Sequence, residues 1–171
     1  MYSKDDYVIY GQNGVCIIED ITEEPFDGAP KGKLYYVLFA VNNENKIYVP
    51  YELGNMKMRK VLNRKEANEL IHMIPSIEPL EVNNEKQIEE IYRKAINSNE
   101  CLELIKFIKY IHIRKTKRSE EGKKMTSTDK KYMEMAENAV YLEIGTALGI
   151  KKSEVLPLII KVIEGENNNE E

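Results

Sequence analysis

Residues 7–21 read Tyr-Val-Ile-Tyr-Gly-Gln-Asn-Gly-Val-Cys-Ile-Ile-Glu-Asp-Ile, two apolar runs joined by a turn containing Asn13 and Gly14. Asn and Gly tolerate the positive φ that a tight hairpin turn demands, so the stretch predicts a β-hairpin. A second strand pair is expected at residues 34–41 and 46–50, with Asn42, Asn43, Glu44 and Asn45 between. The loop over residues 23–32, rich in Pro and Gly, separates the two hairpins. A short last strand around residues 56–61 ends the β-rich part. After Asn63 the spacing of apolar residues is helical. The expected fold class is therefore α+β and multidomain: a small, strongly bent antiparallel sheet followed by an all-α part of about five helices. The expected boundaries are 1–61, 62–165 and an acidic, Asn-rich, disordered tail at 166–171. A sheet module joined to a helical module suits a two-part adaptor better than a single-pocket enzyme.

The helical half carries clear punctuation. Asn63 stands three residues before Glu66, the spacing of a capping box, and Ala67, Leu70, Ile71 and Ile74 follow on one face before Pro75 and Pro79. A second helix starts near residue 83 or 84 and presents Ile88, Ile91, Tyr92, Ala95 and Ile96, until Ser98 and Asn99 break it. A third runs from about Glu100 to Arg114, and residues 114–124 read as a charged connector. Thr126 and Asp129 suggest another capping box, and the helix behind them closes at Gly149. A last amphipathic helix spans residues 152–163, with Pro157 near its start.

Charge sorts the functional classes. The net charge is −4, yet residues 101–125 carry eight basic and three acidic side chains. A basic segment in an acidic chain is a local electrostatic feature that the global balance hides. No apolar run approaches the roughly 20 residues of a membrane span, and no apolar segment marks a secretory leader at the start, so a cytoplasmic protein is expected. Cys16 and Cys101 sit in unrelated contexts and read as buried thiols. His72 and His112 lie within apolar helices without a second ligand at metal spacing, so packing is expected for both and no metal site. No Gly-rich phosphate loop follows the first turn, and no carboxylate pair stands out, so neither cofactor nor catalytic residue is assigned.

Two features admit a bland and a sharp reading. Lys106, Lys109, Arg114, Lys115, Lys117 and Arg118 form a solvated helix face, or they contact phosphate if they converge in space. Tyr35, Tyr36, Tyr48 and Tyr51 pack a sheet, or they dress a strand edge for docking.

In combination these features resemble the CarD/CdnL family of bacterial transcription regulators. The family's opening run is matched by residues 5–15, its Tyr-Tyr-Val-Leu strand by residues 35–38, its Ile-x-Val-Pro strand by residues 47–50, and its closing Arg by Arg59. The break at Ser98, Asn99 and Glu100 and the helix start at residues 125–130, with Ala136 and Glu143 in phase, extend the likeness to about Leu148. The resemblance implies a Tudor-like, SH3-like N-terminal barrel, shared with transcription-repair coupling factors, that docks on the RNA polymerase β subunit. It implies a helical part that reaches promoter DNA without sequence specificity, alters open-complex stability and performs no catalysis. The chain departs from the pattern in two places. It has no Trp, and the positions of the family's DNA wedge hold Asn84 and Glu85. Positions where relatives use Arg against polymerase hold Glu24 and Tyr48.

The expected polymerase-binding residues are Lys46, Ile47, Tyr48, Val49, Pro50 and Glu24, with Tyr48 as aromatic anchor on an edge strand. The expected DNA-proximal residues are Asn84, Lys86, Lys94, Lys106, Lys109, Arg114 and Lys115. No membrane and no small-molecule substrate are expected as partners. The alternatives are a polymerase-tethered adaptor whose helical half never touches DNA, and a small enzyme concealed in that half, which a deep polar-lined pocket would reveal.

Overall fold

The computed structural model describes residues 1–83 and 85–167. The chain divides into two compact units, Met1–Val61 and a second that begins at Leu62.

In the first unit, β1 (Tyr7–Tyr10) and β2 (Val15–Thr22) form the first hairpin, and β3 (Tyr35–Ala40) and β4 (Lys46–Pro50) the second. The helix α1 (Tyr51–Lys57) and the three-residue β5 (Met58–Lys60) follow. Every pairing is antiparallel, and the strand order is β4-β3-β2-β1-β5. The first turn is wider than a two-residue hairpin: Gly11–Asn13 make one 3-10 turn, and the positive φ angles fall on Gly11 (50°) and Gly14 (65°), leaving Asn13 in an ordinary conformation. Glu19 is the extra residue of a bulge in β2, since Ile18 pairs Leu38 while Asp20 pairs Val37. Bulges increase twist and bend a strand. Val8, Cys16, Ile18, Tyr36, Leu38, Ala40, Val49 and Met58 form the core on one face of the bent sheet.

The expected barrel is corrected to a five-stranded antiparallel sheet with two ends, β4 and β5, that do not pair. The chain leaves β4 as a helix. Tyr51 stacks on Tyr36 with ring centroids 4.7 Å apart, and Asn55 Oδ1 accepts the Tyr36 hydroxyl at 2.8 Å. A Cβ added at Gly54 would lie 2.6 Å from the Tyr36 ring. The α1 turn thus lies on the Tyr36 ring, and only three residues remain for β5.

The second unit holds α2 (Arg64–Met73), α3 (Ile88–Asn97), α4 (Cys101–Glu120), α5 (Ser127–Leu148) and α6 (Lys152–Asn167). The Asn63 capping box forms, with Asn63 Oδ1 accepting from Glu66 N at 3.0 Å and Glu66 Oε2 accepting from Asn63 N at 2.7 Å. Thr126 caps α5 by accepting from Asp129 N at 3.0 Å. Asp129 does not reach back; its carboxylate is committed elsewhere. Tyr92, Phe107, Ile111, Val140 and Ile144 lie at the centre of the core. α4 continues to Glu120, so most of the expected charged connector is helix. Lys, Arg and Glu are strong helix formers and need no apolar stripe once α4 has left the core. α6 runs through Asn167, two residues into the expected tail, and residues 168–171 lie outside the described residues.

His72 and His112 are both exposed, which corrects the packing expected of them; the polar faces of α2 and α4 carry them. Cys16 and Cys101 are buried. Burial pushes the Cys16 thiol up to about 11.

Candidate functional site

In the first unit the site grows from an unpaired strand edge. Hydrogen bonds from Ala40 N to Asn45 O and from Tyr51 N to Leu34 O, each 2.9 Å, bracket the β3–β4 ladder. The register between them is unbroken, pairing Phe39 with Lys46, Leu38 with Ile47, Val37 with Tyr48 and Tyr36 with Val49. Backbone direction alternates along a strand. Ile47 and Val49 therefore direct their amides and carbonyls to β3, as Asn45 does its carbonyl and Tyr51 its amide, while Lys46 and Tyr48 direct theirs to the open edge. Pro50 adds a carbonyl there and no donor.

Side chains sort by the same alternation. Val49 is 1% exposed in the core, and Ile47 packs against that core. Lys46, Tyr48 and Pro50 are exposed on the outer face. Phe26, from the Pro- and Gly-containing loop, meets Tyr48 at 5.4 Å and Tyr35 at 5.9 Å between ring centroids. Phe26 and Tyr48 remain 43% and 40% exposed, so the cluster is an apolar surface standing beside the edge. Lys46 Nζ lies 2.9 Å from Glu19 Oε2, and that carboxylate raises the Lys46 pKa through its hydrogen bond and its charge. The bulge supplies Glu19 at this position. An open hollow of about 400 Å³ lies next to the pair, lined among others by Glu19, Asp20, Glu24, Val37, Lys46 and Tyr48. Glu24, Lys46 and Tyr48 thus share one surface feature.

The expected DNA-proximal residues of the second unit stand on different elements and in different surroundings. Asn84 lies outside the described residues. Lys86 sits in the 3-10 turn Glu85–Gln87, and Lys94 is exposed on α3. Lys106 Nζ pairs with Glu103 Oε1 at 2.7 Å. Lys109 Nζ donates to Ile77 O at 2.6 Å and Pro75 O at 3.1 Å, and Leu80 N donates to Lys106 O at 3.0 Å. These bonds hold the segment after α2 against α4. Arg114 is half-buried: its side chain is 17% exposed, and Nε lies 3.3 Å from Oδ2 of buried Asp129. Asp129 Oδ1 also accepts the Tyr92 hydroxyl at 2.7 Å. Burial pushes the Asp129 carboxyl up, but Tyr92, Thr126 and Arg114 outweigh it and hold the carboxyl below the usual range. Lys115 remains exposed.

Linear charge counting missed one grouping. The turn at Gly122 joins the last turns of α4, with Lys115, Lys117 and Arg118, to the first turns of α5, with Lys130 and Lys131; Lys123 and Lys124 lie in the connection. A count that stops at residue 125 assigns Lys130 and Lys131 to an acidic segment. The hairpin of two helices would have revealed the grouping. A second buried acid was also missed. Glu143 is 2% exposed and accepts from Leu62 N and from the Cys101 thiol, each at 3.1 Å.

Among the described residues no group of three or more His, Cys, Asp or Glu is placed to hold a metal ion, and no helix is long and apolar enough to cross a membrane. A comparison with curated proteins found no match. Residues 2–62, nearly the span of the first compact unit, match the family model described as CarD-like/TRCF RID domain. Over residues 2–62 the sheet unit with the open β4 edge is therefore similar to the CarD-like/TRCF RID domain family.

Proposed function

We propose that this protein is a CarD-like transcription regulator that docks through β4 on the RNA polymerase β subunit and modulates promoter open-complex stability. The observation that carries the reading is the edge of β4, where the backbone groups of Lys46 and Tyr48 are directed away from the sheet beside an exposed aromatic cluster. Strand addition uses such an edge: main-chain hydrogen bonds supply affinity and alternate side chains supply specificity. The opposite edge suits it less, because β5 is three residues long and bears Arg59 and Lys60. Short, charged edges discourage pairing. The protein acts in the cytoplasm with polymerase, and its role is interaction, with no catalytic step. The test is capture of purified β subunit by the full chain. Tyr48→Pro removes one outward amide while keeping every β3–β4 bond, and it is expected to abolish capture with the fold intact by circular dichroism. Undiminished capture would place docking elsewhere.

A second reading has its own support. Lys106, Lys109 and Arg114 are engaged within the helical unit, which favours a polymerase-tethered adaptor whose helices do not contact DNA. A gel shift on forked promoter DNA, with and without polymerase, separates the two. A supershift that depends on exposed Lys115, Lys117, Lys130 and Lys131 supports the regulator, and a shift indifferent to them supports the adaptor.

A further inference from the structure

Resting on the docking reading, we infer that the strand added to β4 carries an arginine whose side chain fills the hollow over Val37. A strand bonded to the outward groups of Lys46 and Tyr48 places the residue opposite Tyr48 on the same outer face. That face holds the hollow of about 400 Å³. A long side chain entering from the edge meets three kinds of surface. The Tyr48 ring, braced by Phe26 at 5.4 Å, offers an exposed aromatic face. Val37 is buried and forms part of the apolar floor. Asp20 and Glu24 add carboxylates to its lining.

Charge complementarity selects the occupant. Glu19 is matched by Lys46 at 2.9 Å, so the strongest basic group on the edge is already held. Among the described residues, Asp20 Oδ1 accepts from the neighbouring Ile21 N at 2.9 Å and has no cation paired with it. With Lys4 as the other lining cation, acids outnumber bases around the hollow. An acidic side chain would meet repulsion here. A planar guanidinium can stack on Tyr48 and reach a carboxylate in the same pose, and an ammonium lacks that geometry.

The experiment uses the full chain and RNA polymerase core purified from the same organism, with affinity read by biolayer interferometry at low and moderate salt. The double variant Asp20→Asn with Glu24→Gln keeps shape and hydrogen-bond acceptors while removing two charges. It is expected to weaken binding about tenfold and to flatten the salt dependence, as removal of facing charges does at interfaces. Glu24→Lys is expected to weaken binding further. Unchanged affinity and salt slope for the double variant, with binding lost for Tyr48→Pro, overturns the arginine and leaves the docking edge standing. Tighter binding by the double variant identifies an acidic partner and overturns the arginine as well. Unchanged binding by Tyr48→Pro overturns both readings. Should Tyr48→Pro fail to fold, Lys46→Pro gives the same discrimination, since it removes the other outward amide of β4 and keeps every β3–β4 bond.

Discussion

Asp129 sets the interior electrostatics of the helical unit. The residue is 3% exposed; its carboxylate is held by Tyr92 and Arg114, and its amide donates to Thr126 Oγ1. Removing one partner of a buried pair leaves the other charge uncompensated and costs about 3 kcal/mol or more. Asp129→Ala is therefore expected to lower urea-unfolding stability by about that amount. The pH dependence has a definite sign. Because folding depresses this carboxyl, its stabilisation is fully present above the ordinary Asp range of about 4 and is lost as pH falls through the lower folded value. Unfolding midpoints between neutral and acid pH should show less acid loss for Asp129→Asn than for wild type; parallel curves would mean that other carboxylates dominate. At the sheet edge, one residue decides what proline does. Ile47 directs its amide to β3, so Ile47→Pro removes a ladder bond and is expected to unfold the sheet, seen as a lowered midpoint or a collapsed circular dichroism signal. Tyr48→Pro, one position on, is expected to keep the midpoint within about 1 kcal/mol of wild type. Equal damage from both would contradict the register.

The same register explains why some elements were legible in the sequence and others were not. Strands with turn residues between them, and helices with an Asn63-type box or a Gly149-type stop, announce themselves locally. α1 does not. Its sequence, Tyr-Glu-Leu-Gly-Asn-Met-Lys, has Gly54 in the middle, a residue that local propensity counts against helix. The helix forms because Tyr36, from β3, needs a flat surface against its ring, and only a Gly backbone can lie there. That is a tertiary reason, invisible to a window along the chain. Gly54→Ala tests it. Helix propensity alone predicts a gain of up to about 1 kcal/mol, whereas a Cβ 2.6 Å from the Tyr36 ring predicts a loss. Overpacking of this kind costs about 1–3 kcal/mol, so the thermal midpoint should fall, and a rise would mean that α1 is free to shift. For the proposed docking edge, the strand that carries Lys46 and Tyr48 was legible from its turn and alternation, whereas Glu24 entered through the family resemblance and the structure adds that it lines the same hollow. The cations of α4 were misleading, because whether a Lys faces solvent, caps a carbonyl like Lys109 or pairs with a buried acid like Arg114 depends on helices distant in sequence.

At the scale of the whole chain, electrostatics and connectivity decide whether DNA can be a partner. A net charge of −4 gives no long-range attraction to a polyanion, and three of the α4 cations are paired or bonded within the helical unit. What remains exposed is the group around the α4–α5 turn, including Lys115, Lys117, Lys123, Lys130 and Lys131. Two members carry partners of modest strength, Lys123 with Glu121 at 2.8 Å and Lys130 with Glu134 at 3.9 Å, both exposed. A surface of this size supports only a few phosphate contacts, and the affinity of such contacts falls steeply with salt. On the proposed docking, tethering by the sheet unit changes the arithmetic, because a linked module meets its second target at an effective concentration of about millimolar for a short linker. Fluorescence anisotropy on a fork-junction promoter should therefore show weak binding by the protein alone at moderate salt and occupancy when polymerase is added. Neutralising Lys115, Lys117, Lys130 and Lys131 together should reduce that occupancy and shrink its salt slope by about one unit for each phosphate no longer neutralised. Neutralising Lys109 should instead lower the thermal midpoint, since its bonds to Pro75 O and Ile77 O hold another segment against α4. Submicromolar binding without polymerase would contradict the tether, and an unchanged slope for the four-lysine variant would exclude DNA as a partner and leave the helical unit as a surface for protein.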